Sequence, residues 1–285
     1  MNRLIFGVTG VPSDAKSPTT QAGIERVREL GLGCMELAWV RGVKLGEPSA
    51  LRIGVVAREK GVRLSAHGAY YINLNAEDPA IRARSRARIL KAARVGEFCG
   101  ISSLVFHAAS YMGRAPEEVY PVVKESLEKI RETLRREGNT VTLRPEITGK
   151  PTYFGNLEEL LRLSSEVEGV APCIDFAHLH ARTGGQYNAY EAFASVLKQI
   201  EARLGREALD DMHIHVAGIQ YTAKGERKHL MLKDSDLKYR ELLRALADFE
   251  VKGLVICESP EPAPDALLLQ REYERAPFIL SPLSD

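Results

Sequence analysis

The stretch CIDFAHLHAR (173–182) sets one aspartate and two histidines directly behind a short apolar run. The chain has only seven histidines, His67, His107, His178, His180, His213, His215 and His229. Most of them share this setting, a brief apolar run that ends in a side chain able to ligate a metal. Short apolar runs bounded by polar punctuation fit buried strands. The stretch therefore reads as a strand with Asp175 at its tip. His178 follows with the spacing of one helical turn, so both side chains can address the same side.

Working outward, the pattern recurs along the chain. The expected strands are LIFGV (4–8), CMEL (34–37), VRLSA (62–66), SLVF (103–106), VTLRPE (141–146), APCID (171–175), MHIHV (212–216) and GLVICE (253–258). Between them lie segments with apolar residues at three- and four-residue spacing, among them TQAGIERVREL, PEEVYPVVKESLEKIRETLRRE, NLEELLRLSSEV and DLKYRELLRALADF. Asn156 is the expected N-cap of one such helix, and Ser235 or Asp236 of another. Eight strand–helix alternations without a linker predict a single (β/α)8 TIM barrel spanning residues 1–285, with 275–285 (RAPFILSPLSD) as a C-terminal tail. The early GVTG (7–10) lacks the glycine spacing of a dinucleotide-binding turn.

Composition is consistent with this. Of 285 residues, 45% are hydrophobic and 27% charged, which suits a soluble chain with a sizeable core. The net charge of +1 excludes a strongly basic overall surface but not a local basic groove. No apolar run approaches the roughly 18 residues of a membrane span or the form of a signal peptide, so a cytoplasmic location and no membrane partner are expected. The four cysteines, Cys34, Cys99, Cys173 and Cys257, are widely separated and read as buried reduced thiols.

On a barrel, His67 ends the third strand, His107 the fourth, Glu146 the fifth, Asp175 the sixth, His215 the seventh and Glu258 the eighth. All six then meet at the C-terminal mouth, where active sites of this fold are built. Three imidazoles and three carboxylates in an apolar bowl call for a cation among them. Mixed histidine and carboxylate ligation suits Zn²⁺, Mn²⁺ or Fe²⁺, and Glu146 can bridge two ions. His213 points to the same strand face as His215 but should pack deeper. Glu36 is expected to form a mouth salt bridge or a substrate contact, and His180 to lie at the surface or on the substrate side.

The segments AHGAYYINL (66–74), FHAAS (106–110), PEITGK (145–150), DFAHLHARTGG (175–185), HIHVAG (213–218), GERKHLML (225–232) and ICES (256–259) resemble, in family order, the endonuclease IV family of the xylose-isomerase-like barrel superfamily. The resemblance implies that His67, His107 and Glu146 hold one ion, and that Glu146 bridges to a second held by Asp175, His215 and Glu258. His178 and His229 would serve a third. It implies two or three Zn²⁺, with Mn²⁺ possible, and hydrolysis of the phosphodiester 5′ to abasic sites in double-stranded DNA by a monomer. Glu146 would be the catalytic residue that orients the attacking water. Tyr70 matches a position that probes the duplex, Arg41 is a candidate for groove insertion, and Arg227 for a phosphate contact. One departure stands out: the family places an aspartate two residues before the last histidine, where this chain has Arg227. Glu226 is one step off, on the opposite face of a regular strand. The alternatives are a metal-dependent sugar isomerase or epimerase of the same superfamily, which needs fewer histidines, and a non-catalytic DNA- or metal-binding relative.

Overall fold

The computed structural model describes residues 3–279. In chain order it runs β1 (Leu4–Thr9), α1 (Thr20–Glu29), β2 (Cys34–Ala38), α2 (Glu47–Lys60), β3 (Arg63–His67), α3 (Pro79–Cys99), β4 (Ser103–Phe106), α4 (Pro116–Arg136), β5 (Thr142–Pro145), α5 (Leu157–Glu166) and β6 (Cys173–Asp175). There follow α6 (Phe176–Arg182), α7 (Tyr190–Leu204), α8 (Arg206–Leu209), β7 (Met212–Val216), β8 (Gly218–Thr222), β9 (Gly225–Leu230), α9 (Tyr239–Asp248), β10 (Gly253–Cys257) and α10 (Pro262–Ile279).

Eight parallel strands run in the order β5-β4-β3-β2-β1-β10-β7-β6. Bridges Leu143↔Val170 and Glu146↔Cys173 join the first strand to the last, so the sheet closes as the expected (β/α)8 barrel. Its strands are short, apolar and buried on both faces, as parallel strands covered by helices must be. The lower end is plugged by Arg144 of β5, which donates to Ser103 Oγ (2.9 Å), Pro172 O (3.1 Å) and Asp211 Oδ2 (2.6 Å). At Gly7 the strands approach so closely that a Cβ would lie 1.8 Å from Cys34 O.

Asn156 caps α5 as expected, in a full capping box with Glu159. The expected cap of α9 is corrected: that helix begins after Lys238. Ser235 Oγ instead accepts from the Ile219 and Leu237 amides, while Asp236 binds His180 and Tyr221. The expected C-terminal tail is also corrected over 275–279, which continue α10; residues 280–285 of that tail lie outside the described residues. The antiparallel hairpin β8–β9, inserted between β7 and α9 and contacting α6, belongs to no barrel strand. All four cysteines are buried and free. Among the described residues no helix is long and apolar enough to cross a membrane.

Candidate metal centre

Glu146 is the hub of the mouth. It stands one residue beyond β5, is 1% exposed, and meets four imidazoles. Its Oε2 lies 3.0 Å from both His67 Nε2 and His107 Nε2, and its Oε1 lies 3.2 Å from His178 Nδ1 and His215 Nδ1. Burial opposes its charge, yet His107 and His215 hold its carboxyl well below the usual range. Burial likewise disfavours protonation of His67, but the carboxylate of Glu146 outweighs it and raises that imidazole to about 9.

Asp175 is reached from the next strand. It caps α6, accepting from the His178 amide through Oδ1 at 2.7 Å, which is the physical reason for the one-turn spacing seen in CIDFAHLHAR. Its other oxygen, Oδ2, is buried without a hydrogen-bond partner. Burial pushes this carboxyl up to about 6, and Glu146 and Glu258 add to the rise. A second buried carboxylate and an orphaned oxygen in one bowl are what a cation would relieve.

The histidines point the same way. His67 has Nδ1 2.9 Å from Gly68 O, His178 Nδ1 2.9 Å from Ile147 O, and His229 Nδ1 3.0 Å from Glu258 O. A carbonyl can only accept, so each ring donates there, and each is left with Nε2 as its ligating atom. The Nε2 atoms of His178 and His229 then face one another at 3.2 Å, a contact between two lone pairs unless a cation or proton intervenes. Ligating atoms fall into three adjoining groups, each within 4.8 Å: His67, His107 and Glu146; Glu146, Asp175, His215 and Glu258; Asp175, His178 and His229. The donor set fits divalent ions on these grounds.

Glu226 corrects the sequence reading. The hairpin pairs Gln220 with Lys228 but Tyr221 with Glu226, so Arg227 is an extra residue in a β-bulge. The bulge restores Glu226 to the face of His229. Its Oε2 lies 3.5 Å from His178 Nε2 and its Oε1 4.0 Å from His229 Nε2. Burial would raise this carboxyl, but His178 and His229 hold it down at about 2. The space is kept by Gly149, where a Cβ would lie 2.5 Å from Glu226 Oε2 and 3.0 Å from His178 Cδ2. Sequence reasoning set Glu226 aside because a bulge changes the face without changing the residues.

Beneath the hub, Glu36 is fully buried. It accepts from Ser65 Oγ (2.9 Å) and His213 Nε2 (3.0 Å), and its Oε1 lies 3.1 Å from His215 Nε2, out of line for a hydrogen bond. His213 packs deeper, as expected. Cys173, His213 and His215 also converge, but burial raises the Cys173 thiol to about 12 and leaves it a poor ligand. His180 is corrected: it is fully buried and reaches Asp236 Oδ1 at 3.1 Å, tying α6 to the chain after the hairpin. At the rim, Tyr70 is 64% exposed with its ring 5.5 Å from that of His67. Arg41 lies exposed in the β2–α2 loop and Arg227 on the bulge.

Fold and mouth together define a (β/α)8 barrel whose mouth gathers candidate metal-binding groups. The chain belongs to the xylose isomerase-like TIM barrel family, whose model matches residues 24–275. An uncharacterized protein of Methanocaldococcus jannaschii is 43% identical over 276 residues, 96% of this chain and 99% of its own length. A probable endonuclease 4 of Halorhodospira halophila is 22% identical over 239 residues, 80% of each chain. Among solved structures, endonuclease IV from Thermus thermophilus matches with a TM-score of 0.71 at 20% identity, covering 96% of this chain and 99% of that one. A D-tagatose 3-epimerase-like protein matches at 0.74 and 16% identity, covering 96% and 100%. At these identities both structural likenesses speak to the fold.

Proposed function

We propose that the protein is a metal-dependent endonuclease that hydrolyses the phosphodiester 5′ to abasic sites in duplex DNA. The observation that carries this reading is the triple donor set around Glu146, which has more imidazoles than one ion can use. His67, His107 and Glu146 would hold one ion, Glu146, Asp175, His215 and Glu258 a second, and Asp175, His178, Glu226 and His229 a third. Zn²⁺ fits these donors, and Mn²⁺ is the other candidate. Bound there, such ions would polarise a phosphoryl group and lower the pKa of water into the neutral range.

The chain's own residues would do the rest. Glu146, at the junction of two donor sets, would orient the attacking water. Tyr70 stands over the rim beside His67, where its ring could stack in the gap left by a missing base. Arg41 and Arg227 would contact the backbone or groove. The endonuclease 4 relative supports the same reading.

A second reading has one observation in its favour. Glu146, Asp175, His215 and Glu258 alone would suffice for one ion and a ketose, and an epimerase-like barrel shares the fold. It leaves His67, His107, His178, Glu226 and His229 without a role. Both are tested on one metal-quantified preparation, given either a duplex oligonucleotide with one abasic-site analogue or a ketohexose. Incision 5′ to the lesion, lost with chelator and restored by Zn²⁺ or Mn²⁺, supports the nuclease; epimerisation without incision overturns it.

A further inference from the structure

A cavity of about 200 Å³ lies behind the loop that follows His67 and carries Tyr70, between that loop, the segment after β2, and α3. Four of its lining residues are cationic, Arg41, Lys44, Arg88 and Lys91, and none is acidic. Among the described residues none of the four enters an ion pair. Nearby cations do find acids: on the neighbouring α4, Lys129 pairs with Glu125 and Arg136 with Glu132, and Arg94 at the far end of α3 pairs with Glu137.

The cavity is shaped rather than merely exposed. Tyr71 donates from its hydroxyl to Arg41 O at 2.9 Å, and the Arg88 guanidinium lies 4.4 Å from the centre of the Tyr71 ring. Gly42, at φ +88°, leaves room for that hydroxyl, since a Cβ there would lie 2.9 Å from it. Its wall is also close to the metal centre. Gly68 and Ala69 line it directly after His67, and two residues span at most about 7 Å.

We propose that this cavity binds a phosphate group of the substrate, held by Arg88 and Lys91 from α3 and by Arg41 and Lys44 from the facing loop. The inference rests on the nuclease reading for the source of the phosphate, a nucleic-acid backbone. The charge pattern favours that source. Arg84 precedes Arg88 by one turn, so Arg84, Arg88 and Lys91 form a row along one face of α3. Between Pro79 and Cys99 the helix carries six cationic residues and a single acid, Glu97, in a chain whose net charge is only +1. A row of cations suits a strand with successive phosphates better than one phosphorylated sugar.

The test compares the full metal-loaded chain with its Arg88→Ala/Lys91→Ala variant. Binding of an undamaged 15-mer duplex is followed by fluorescence anisotropy across a KCl series. We expect about tenfold weaker binding and a log K against log[KCl] slope shallower by about 2, as loss of two phosphate contacts requires. An Arg88→Lys/Lys91→Arg variant should keep both values, which separates charge from fold. Unchanged affinity and slope in the alanine variant would overturn the proposal. If the wild type ignores the duplex but binds a ketohexose phosphate, and the alanine variant does not, the phosphate site stands and the nuclease reading falls. Failure of incision with intact duplex binding would likewise sink only the latter.

Discussion

The bulge at Arg227 turns the backbone so that Glu226, three residues ahead of His229, faces the same way as that imidazole. On the proposed reading, Glu226→Gln removes one anionic ligand from the pair of facing Nε2 atoms. The chain should then lose about one bound ion, measured by elemental analysis after dialysis. Deleting Arg227 gives a sharper test. It would convert the bulge to a regular strand with glutamate two residues before the histidine, again on one face. The deletion should therefore keep the ion that Glu226→Gln loses; if both variants lose it equally, the bulge has no such role. For chemistry, Glu146→Gln preserves shape but removes the charge that gathers four imidazoles. Incision turnover should fall by a factor of about 10² to 10⁴, the range for a lost general acid or base. Turnover within threefold of wild type in metal-matched protein would remove Glu146 from the catalytic role.

Helices α4 and α5 are locked by Glu166, which meets Lys124 Nζ at 2.8 Å, the Arg162 guanidinium at 2.8 Å and the Tyr120 hydroxyl at 3.1 Å. Lys124, followed by Arg162, holds its carboxyl at about 2, below the ordinary 4.5. A depressed folded-state pKa means that the ionised form favours folding, so the contribution is whole above pH 4.5 and fades as pH falls toward 2. Glu166→Gln should lower Tm at pH 7, and the gap to wild type should close progressively between pH 4.5 and 2 in thermal melts followed by circular dichroism. A gap independent of pH would show that packing, not charge, is at stake. At this scale the sequence was legible wherever an element's burial imposes a pattern. The eight barrel strands are buried on both faces and stand out as apolar runs. The hairpin β8–β9 does not, because Gln220, Lys228 and Arg227 alternate with few apolar residues and much of it is exposed. Helix α6 hides for the opposite reason. Nearly every residue in its seven is buried, so no polar face marks His180 as interior. Lys238 as a cap leaves no side-chain signal at all, since Ser235 and Asp236 are committed to other partners.

Closure of the barrel brings together groups that no single element could tolerate. Glu36, Glu146 and Asp175 are all buried at the axis, where imidazoles meet their carboxylates. This arrangement couples the centre to the stability of the whole fold, because the ligands come from separate strand ends and the unfolded chain cannot assemble them. Ions that bind only the folded state stabilise it by RT ln(1 + [L]/Kd), about 2.7 kcal/mol at a hundredfold excess over Kd. For a domain of this size that corresponds to roughly 4–5 °C in Tm. Chelator-stripped protein should therefore melt lower by about that amount, and stoichiometric Zn²⁺ should restore the loss. Glu146→Gln, which weakens two of the three donor groups, should show a smaller rise in Tm on adding Zn²⁺ than wild type does. If wild-type Tm were indifferent to stripping while metal content fell to zero, the carboxylate and imidazole cluster would be self-sufficient. The convergence of Asp175, Glu146 and Glu258 would then be a structural network rather than a metal centre.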